Sequence, residues 1–295
     1  VFRAFPPAPV IVSVMAELPN IPDYELLKCL GGGPLTCVYA ARETSTDREC
    51  AIKVLRSRLE DQSTAVKLFQ REARACLTIR HPHLVRVHYA HATRPPYFLA
   101  MELLPGESLR RRLRRDYRLD LATALWIARQ TAQALAAVHR AGFIHGDVKP
   151  DNIRLVDDGT AKLIDLGFAH RPGENAALLG DGYLLGTVNY LAPELCAFEP
   201  DYDQSTDVFS LGVTIYEMLA GRLPYPPGST SKMLRRHRCD PPADIRQFNK
   251  SLPPILINLL DRLLAHKPAE RPRAPMVVQQ LVALEIAALR GRKSA

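Results

Sequence analysis

In the segment Phe143-Ile144-His145-Gly146-Asp147-Val148-Lys149-Pro150-Asp151-Asn152, polar residues are concentrated between apolar flanks, which suggests that they have tasks beyond solubility. Asp147 carries a carboxylate able to accept or orient a hydroxyl proton. Lys149 can neutralise a travelling phosphoryl group, and Asn152 offers an amide oxygen to a divalent cation. Further on, Ala161-Lys162-Leu163-Ile164 reads as a short strand running into Asp165-Leu166-Gly167, so a second carboxylate suited to a hard cation sits on a glycine-hinged turn. Upstream, the strand pattern Ala51-Ile52-Lys53-Val54 sets one ammonium among apolar neighbours, and alternation turns Lys53 away from Ile52 and Val54. A half-buried ammonium needs a partner. Glu72, on the helical segment that follows, is placed to supply it.

Gly31-Gly32-Gly33 lies between two strand patterns, where the absence of a Cβ lets backbone approach polyphosphate oxygens. No Gly-Lys-Ser/Thr follows, which excludes a Walker loop, and no helix follows, which excludes a dinucleotide fold. Taken alone, the glycines read as a flexible turn and Lys53 with Glu72 as a surface ion pair. The conjunction with 143–167 is what gives them weight.

The elements that must position these groups are legible in outline. Strand patterns over 26–30, 37–41 and 50–55 form an antiparallel meander, followed by a helix over 63–77 with Val66, Phe69, Ala73 and Leu77 on one face. Two further strands are expected over 84–90 and 97–103. Pro105-Gly106 closes this section. Beyond it the chain turns helical, over 120–140 with Gly142 as its stop, then 207–219 with Gly221 behind it, 254–264 and 275–289. A β-rich first third and an α-rich remainder predict two lobes joined near residue 103.

The 295 residues are 47% apolar, enough for a sizeable core, and carry a formal charge of +8 concentrated in short arginine runs. Six scattered cysteines, with no C-x-x-C pair, indicate neither a zinc cluster nor a disulfide framework, and a reducing cytoplasm is the expected location. The apolar run over 10–15 is far short of the ~20 residues of a membrane helix. Residues 1–22 read as a Pro-rich leader outside the fold, 23–290 as the folded unit, and 291–295 as a short basic tail.

Over about 24–289 the chain resembles a eukaryotic-type serine/threonine protein kinase of the kind also found in bacteria, with the motif set in its usual order. The resemblance implies an α+β bilobal fold, with a small lobe over 23–103 and a large lobe over 104–290, that uses ATP and Mg2+. Lys53 and Glu72 are then the small-lobe ion pair, Asp147 and Lys149 the catalytic pair, and Asn152 and Asp165 the metal ligands. The nucleotide would lie among Leu30, Gly31, Gly32, Gly33, Val38, Ala51, Met101 as gatekeeper, backbone groups of Glu102 and Leu104, and Arg154 beneath the base. Thr187 with Lys149 is the serine/threonine pattern. By the same resemblance Glu194 pairs with Arg271 and Asp207 supports the catalytic loop.

Several positions depart from the family pattern. Thr36 replaces the third loop glycine beside Pro34, Leu166 stands in place of phenylalanine, and Arg154 replaces an apolar residue. Gly146 replaces the arginine that commonly binds an activation-segment phosphate, and 168–186 holds no serine or threonine, only Tyr183. A segment ordered without phosphorylation is therefore expected, in contrast to a phospho-switch. Arg110, Arg111, Arg112, Arg114, Arg115 and Arg118 read first as a solvated helix face, and more sharply as a preference for acidic protein targets. Trp126 is assigned to packing. The alternative class is a pseudokinase-like scaffold. The sequence has no nucleic-acid motif, and nothing in it supports dimerisation.

Overall fold

The computed structural model describes residues 18–176, 178, 185–197 and 202–292. The chain opens with a five-stranded antiparallel sheet in the order β1-β2-β3-β5-β4, built from β1 (Tyr24–Gly32), β2 (Thr36–Glu43), β3 (Glu49–Leu55), β4 (Val87–His91) and β5 (Phe98–Met101). Between β3 and β4 comes α1 (Ser63–Thr78). β3 is buried on both faces, and the reason is visible in its alternation. Ile52 and Val54 join Ile21, Ala41, Cys50, Phe98 and Ala100 in an outer apolar cluster, whereas Leu55 joins Leu99 and the α1 residues Phe69, Ala73 and Cys76. Each such Leu, Ile or Phe side chain contributes roughly 1.5–3 kcal/mol when fully buried.

In the second lobe, β6 (Glu107–Ser108) pairs with β7 (Ile153–Leu155) and β7 with β8 (Ala161–Leu163). Its helices include α2 (Leu109–Asp116), α3 (Leu121–Arg140), α4 (Gln204–Ala220), α5 (Thr230–Cys239), α6 (Pro254–Leu263) and α7 (Ala274–Arg292). α4 is buried along nearly its whole length, and α3 packs against both α4 and α7. A β-sheet lobe followed by a helical lobe is the expected bilobal architecture.

The boundaries differ from expectation for local reasons. Asp120 caps α3 by accepting from the Thr123 amide at 3.1 Å, and Asp203 caps α4 by accepting from Ser205 at 2.6 Å, which starts α4 ahead of residue 207. Residues 83–85 belong to the other lobe's strand ladder instead of β4. Val85 donates to the Leu163 carbonyl at 3.0 Å, and Leu163 donates to that of His83 at 2.8 Å. α5 escapes a periodicity reading because Met233, Leu234 and His237 are its only buried residues. Trp126 is not a core residue. It is 48% exposed, with Arg129 over its ring at 4.6 Å and Nε1 donating to the Gly159 carbonyl. The leader reading also needs trimming, since Ile21 is buried in the outer cluster and bridges to Tyr24. Residues 1–17, Tyr183 and 293–295 lie outside the described residues, whereas 291 and 292 continue α7.

Candidate active site

β3 and α1 bring Lys53 and Glu72 together, and the turn after β8 adds Asp165. Lys53 Nζ lies 2.6 Å from Glu72 Oε1 and 2.6 Å from Asp165 Oδ1. Burial works against the ammonium, but the two carboxylates outweigh it and hold Lys53 above the ordinary lysine range. Burial pushes the Glu72 carboxyl up to about 6, against the pull of Lys53. Asp165 goes the other way, to about 2, because the Lys53 ammonium overrides its desolvation. Asp165 Oδ1 also accepts from the Gly167 amide at 3.0 Å, and the side chain remains 41% exposed.

The catalytic-loop candidates converge on one carboxylate. Asp147 Oδ1 accepts from Thr187 Oγ1 at 2.7 Å, while Oδ2 lies 2.6 Å from Lys149 Nζ and accepts from Asn152 Nδ2 at 2.9 Å. Lys149 Nζ also donates to Thr187 Oγ1, at 2.5 Å. Asn152 spends its amide N–H groups on Asp147, its carbonyl at 2.9 Å included, which leaves Oδ1 as a free acceptor among the described residues, while its backbone carbonyl accepts from the Ile164 amide, one residue before Asp165, at 2.8 Å. That is a donor set for Mg2+, which takes one or two protein oxygens and completes its shell with phosphates and water. No cluster of three His, Cys, Asp or Glu side chains forms a cage of its own among the described residues.

The loop is held from beneath by Asp207 on α4, which is 1% exposed. Its Oδ2 accepts from the His145 amide at 2.7 Å and lies 2.8 Å from His139 Nε2, while Oδ1 accepts from the Gly146 amide at 2.9 Å. Burial opposes this carboxylate, yet the His139 contact and the amides keep its pKa below the usual range. Two glycines let the loop and the segment around Thr187 close together. Gly146 has φ +79°, and a Cβ there would stand 3.0 Å from the Phe168 carbonyl; Gly186 has φ +103°, and a Cβ would stand 2.8 Å from the Gly146 carbonyl. The Glu194–Arg271 pair read from the sequence is formed, with two contacts at 2.6 and 2.7 Å and Arg271 fully enclosed.

Of the residues expected to line a nucleotide pocket, Val38, Ala51 and Met101 share one face of the sheet with Lys53. Val38 pairs in register with Lys53, and Ala51 with Met101. Leu30, Gly31 and Gly32 end β1 and Gly33 enters the β1–β2 turn, where it donates to the Thr36 carbonyl at 2.9 Å. The sequence did not reveal what ties this tip down: Arg56 Nε donates to the Gly33 carbonyl at 3.0 Å and Arg58 to that of Pro34 at 3.1 Å. At the lobe junction, the Glu102 amide is committed to the Arg86 carbonyl at 2.9 Å, so of its two backbone groups the amide is not available to a ligand. The Glu102 carboxylate accepts from Lys162 at 2.6 and 2.8 Å, and Leu104 follows two residues on. Arg154, on β7, leans to the Pro105 carbonyl at 3.4 Å.

The arginine cluster is largely bonded within the chain. Arg110 reaches Asp151 at 3.1 Å, Glu217 at 2.6 Å and the Tyr190 hydroxyl, while Arg112 and Arg115 meet Asp116 and Arg115 meets Glu107. Spacing on a helix could have suggested the Arg112–Asp116 contact, but not the long-range ones.

With this geometry in view, the chain belongs to the protein kinase domain family, which matches residues 24–282. It is 33% identical over 249 residues to the serine/threonine-protein kinase PknD of Mycobacterium tuberculosis, covering 84% of this chain and 37% of that one. It is 33% identical over 256 residues to PknA of the same species, covering 85% of this chain and 58% of that one. A probable serine/threonine-protein kinase of Clostridium acetobutylicum is 29% identical over 248 residues. The chain thus spans between 37% and 58% of the length of the two mycobacterial relatives. Among the described residues no helix is long and apolar enough to cross a membrane.

Proposed function

We propose that this chain transfers the γ-phosphate of ATP to a serine or threonine hydroxyl of a protein, with no phosphate required on its activation segment. The observation that carries the reading is the hydroxyl of Thr187, which donates to Asp147 Oδ1 at 2.7 Å and sits 2.5 Å from Lys149 Nζ. It shows that the carboxylate accepts from an aliphatic alcohol and that a cation lies beside that oxygen, the arrangement an acceptor hydroxyl needs. Asp147 then orients the acceptor and takes its proton at Oδ1, and Lys149 neutralises charge on the migrating group. Lys53, fixed by Glu72, binds the α- and β-phosphates, and Asn152 with Asp165 would hold Mg2+. The metal, when bound, supplies positive charge that offsets the triphosphate and fixes its orientation.

A nucleotide-holding scaffold without turnover is favoured by one feature, the loop tip strapped by Arg56 and Arg58. Mg2+-dependent phosphorylation of the chain itself and of a serine/threonine peptide, compared with Asp147→Asn, separates the two. Transfer by the unaltered chain and loss of at least a hundredfold in the variant support the kinase. Equal, background-level transfer by both refutes it.

A further inference from the structure

α1 carries Glu72 and, on either side of it, two arginines that reach out of the small lobe. Arg71 Nη1 donates to Asn175 Oδ1 at 2.8 Å and Nη2 to the Glu174 carbonyl at 2.7 Å. Arg74 pairs with the Glu174 carboxylate, whose other oxygen accepts from the Arg171 amide at 2.8 Å. Arg74 and Arg171 both lie over the Phe143 ring, at 6.0 and 5.1 Å. Residues 171–175, which follow Asp165-Leu166-Gly167, are therefore bound to the same helix that presents Glu72 to Lys53.

We propose that Arg71 is a positioning residue: with Arg74 it clamps residues 171–175 onto α1 and so keeps Glu72 against Lys53, the Glu174 carboxylate and Asn175 amide serving where a phosphate could have served. The inference rests on the kinase reading above and adds how its site is held in order. Three observations converge on it. Residues 168–186 contain no serine or threonine, and Gly146 has no side chain with which to hold a phosphate, so residues 171–175 must be held by other groups. Asn175 is 4% exposed, so its amide oxygen depends on Arg71 for a donor. The Arg71 guanidinium spans two acceptors with its planar fork, a geometry that a lysine cannot reproduce. The Glu174 carboxyl is also held below the usual carboxylate range, burial being outweighed by the Arg171 amide and by Arg74.

The test uses the full chain, checked by mass spectrometry to carry no phosphate, with hydrogen–deuterium exchange as the readout that needs no turnover. Arg71→Ala is expected to raise exchange across 63–78 and 171–175, and Arg71→Lys to raise it less. In activity, Arg71→Ala is expected to lower kcat/KM for ATP roughly tenfold, as fits the loss of a hydrogen bond to a charged group. Glu174→Arg alone should lower activity, and Arg74→Glu added to it should restore most of the loss. This second pair is more exposed and keeps the test alive if Arg71→Ala does not fold. Wild-type exchange over 63–78 in Arg71→Ala, no recovery in the swapped pair, or activity of the unaltered chain that appears only once a phosphate is added within 168–186 would each overturn the clamp. Turnover no greater than that of Asp147→Asn would instead sink the kinase reading, and the exchange data would still decide the clamp.

Discussion

Asp207→Asn is a near-isosteric change with a calculable effect. The carboxylate accepts from His145, Gly146 and His139 through two oxygens, and an amide keeps only one. The retained oxygen belongs at the Oδ2 position, where two partners converge, and this sets an NH2 group against the Gly146 amide at a site now 2.9 Å wide. One charge-assisted hydrogen bond is lost, about 1.5–3 kcal/mol, and a donor is left facing a donor. For a domain of this size that is a fall in Tm of roughly 3–12 °C. If the same free energy displaces the loop carrying Asp147, kcat falls by about 10- to 150-fold. KM for ATP should hardly move, because Lys53, Glu72 and Asp165 do not touch Asp207. The carboxylate's lowered pKa makes its stabilisation present above the unfolded-state value and lost as pH falls through the folded-state value, so the variant's deficit should shrink in acid. Steady-state kinetics with ATP varied, alongside thermal melts at pH 7 and well below the ordinary carboxylate value of 3.8, measure all three. A kcat within twofold of wild type, or a deficit that grows in acid, would refute the reasoning.

Two further outcomes are expected. Glu72 gains a proton as pH drops through about 6, and with it loses the charge that holds Lys53, so kcat/KM for ATP should show an acid limb near that pH that Glu72→Gln removes. In stability the same raised pKa has the opposite sense: its contribution is full below the ordinary value of 4.5 and is lost as pH rises through about 6. Gly146→Ala forces an L side chain into a left-handed conformation 3.0 Å from the Phe168 carbonyl, and urea denaturation should show a cost of about 1–2 kcal/mol; a neutral result would mean that the turn relaxes freely.

The sequence made the architecture legible wherever periodicity and punctuation agreed. α3 came through its long apolar face and Gly142, and α4 through Gly221, which ends it in a left-handed conformation at φ +71°. The Lys53–Glu72 contact was legible because an ammonium buried in a strand demands a counter-charge. What stayed hidden was held by long-range polar contacts. Arg56 and Arg58 strapping the glycine turn, Arg71 reaching Asn175, and Arg110 tying Asp151 to Glu217 each join residues far apart in the chain, and periodicity carries no information about such pairs. Trp126 was misread because a large aromatic is usually buried, whereas here a guanidinium covers one face and a carbonyl takes its N–H.

The stitching of residues 83–85 to β8 makes α1 a lever whose fulcrum belongs to the large lobe. At 1.5 Å per residue, Glu72 stands about 10 Å from the Ile79 end and Ser63 about 24 Å from it. A push at the far tip therefore reaches Glu72 reduced to a bit under half, in rough proportion to those lengths. Whatever grips this helix near Ser63 works with the long arm, while Arg71 and Arg74 hold it close to the pivot, beside the load.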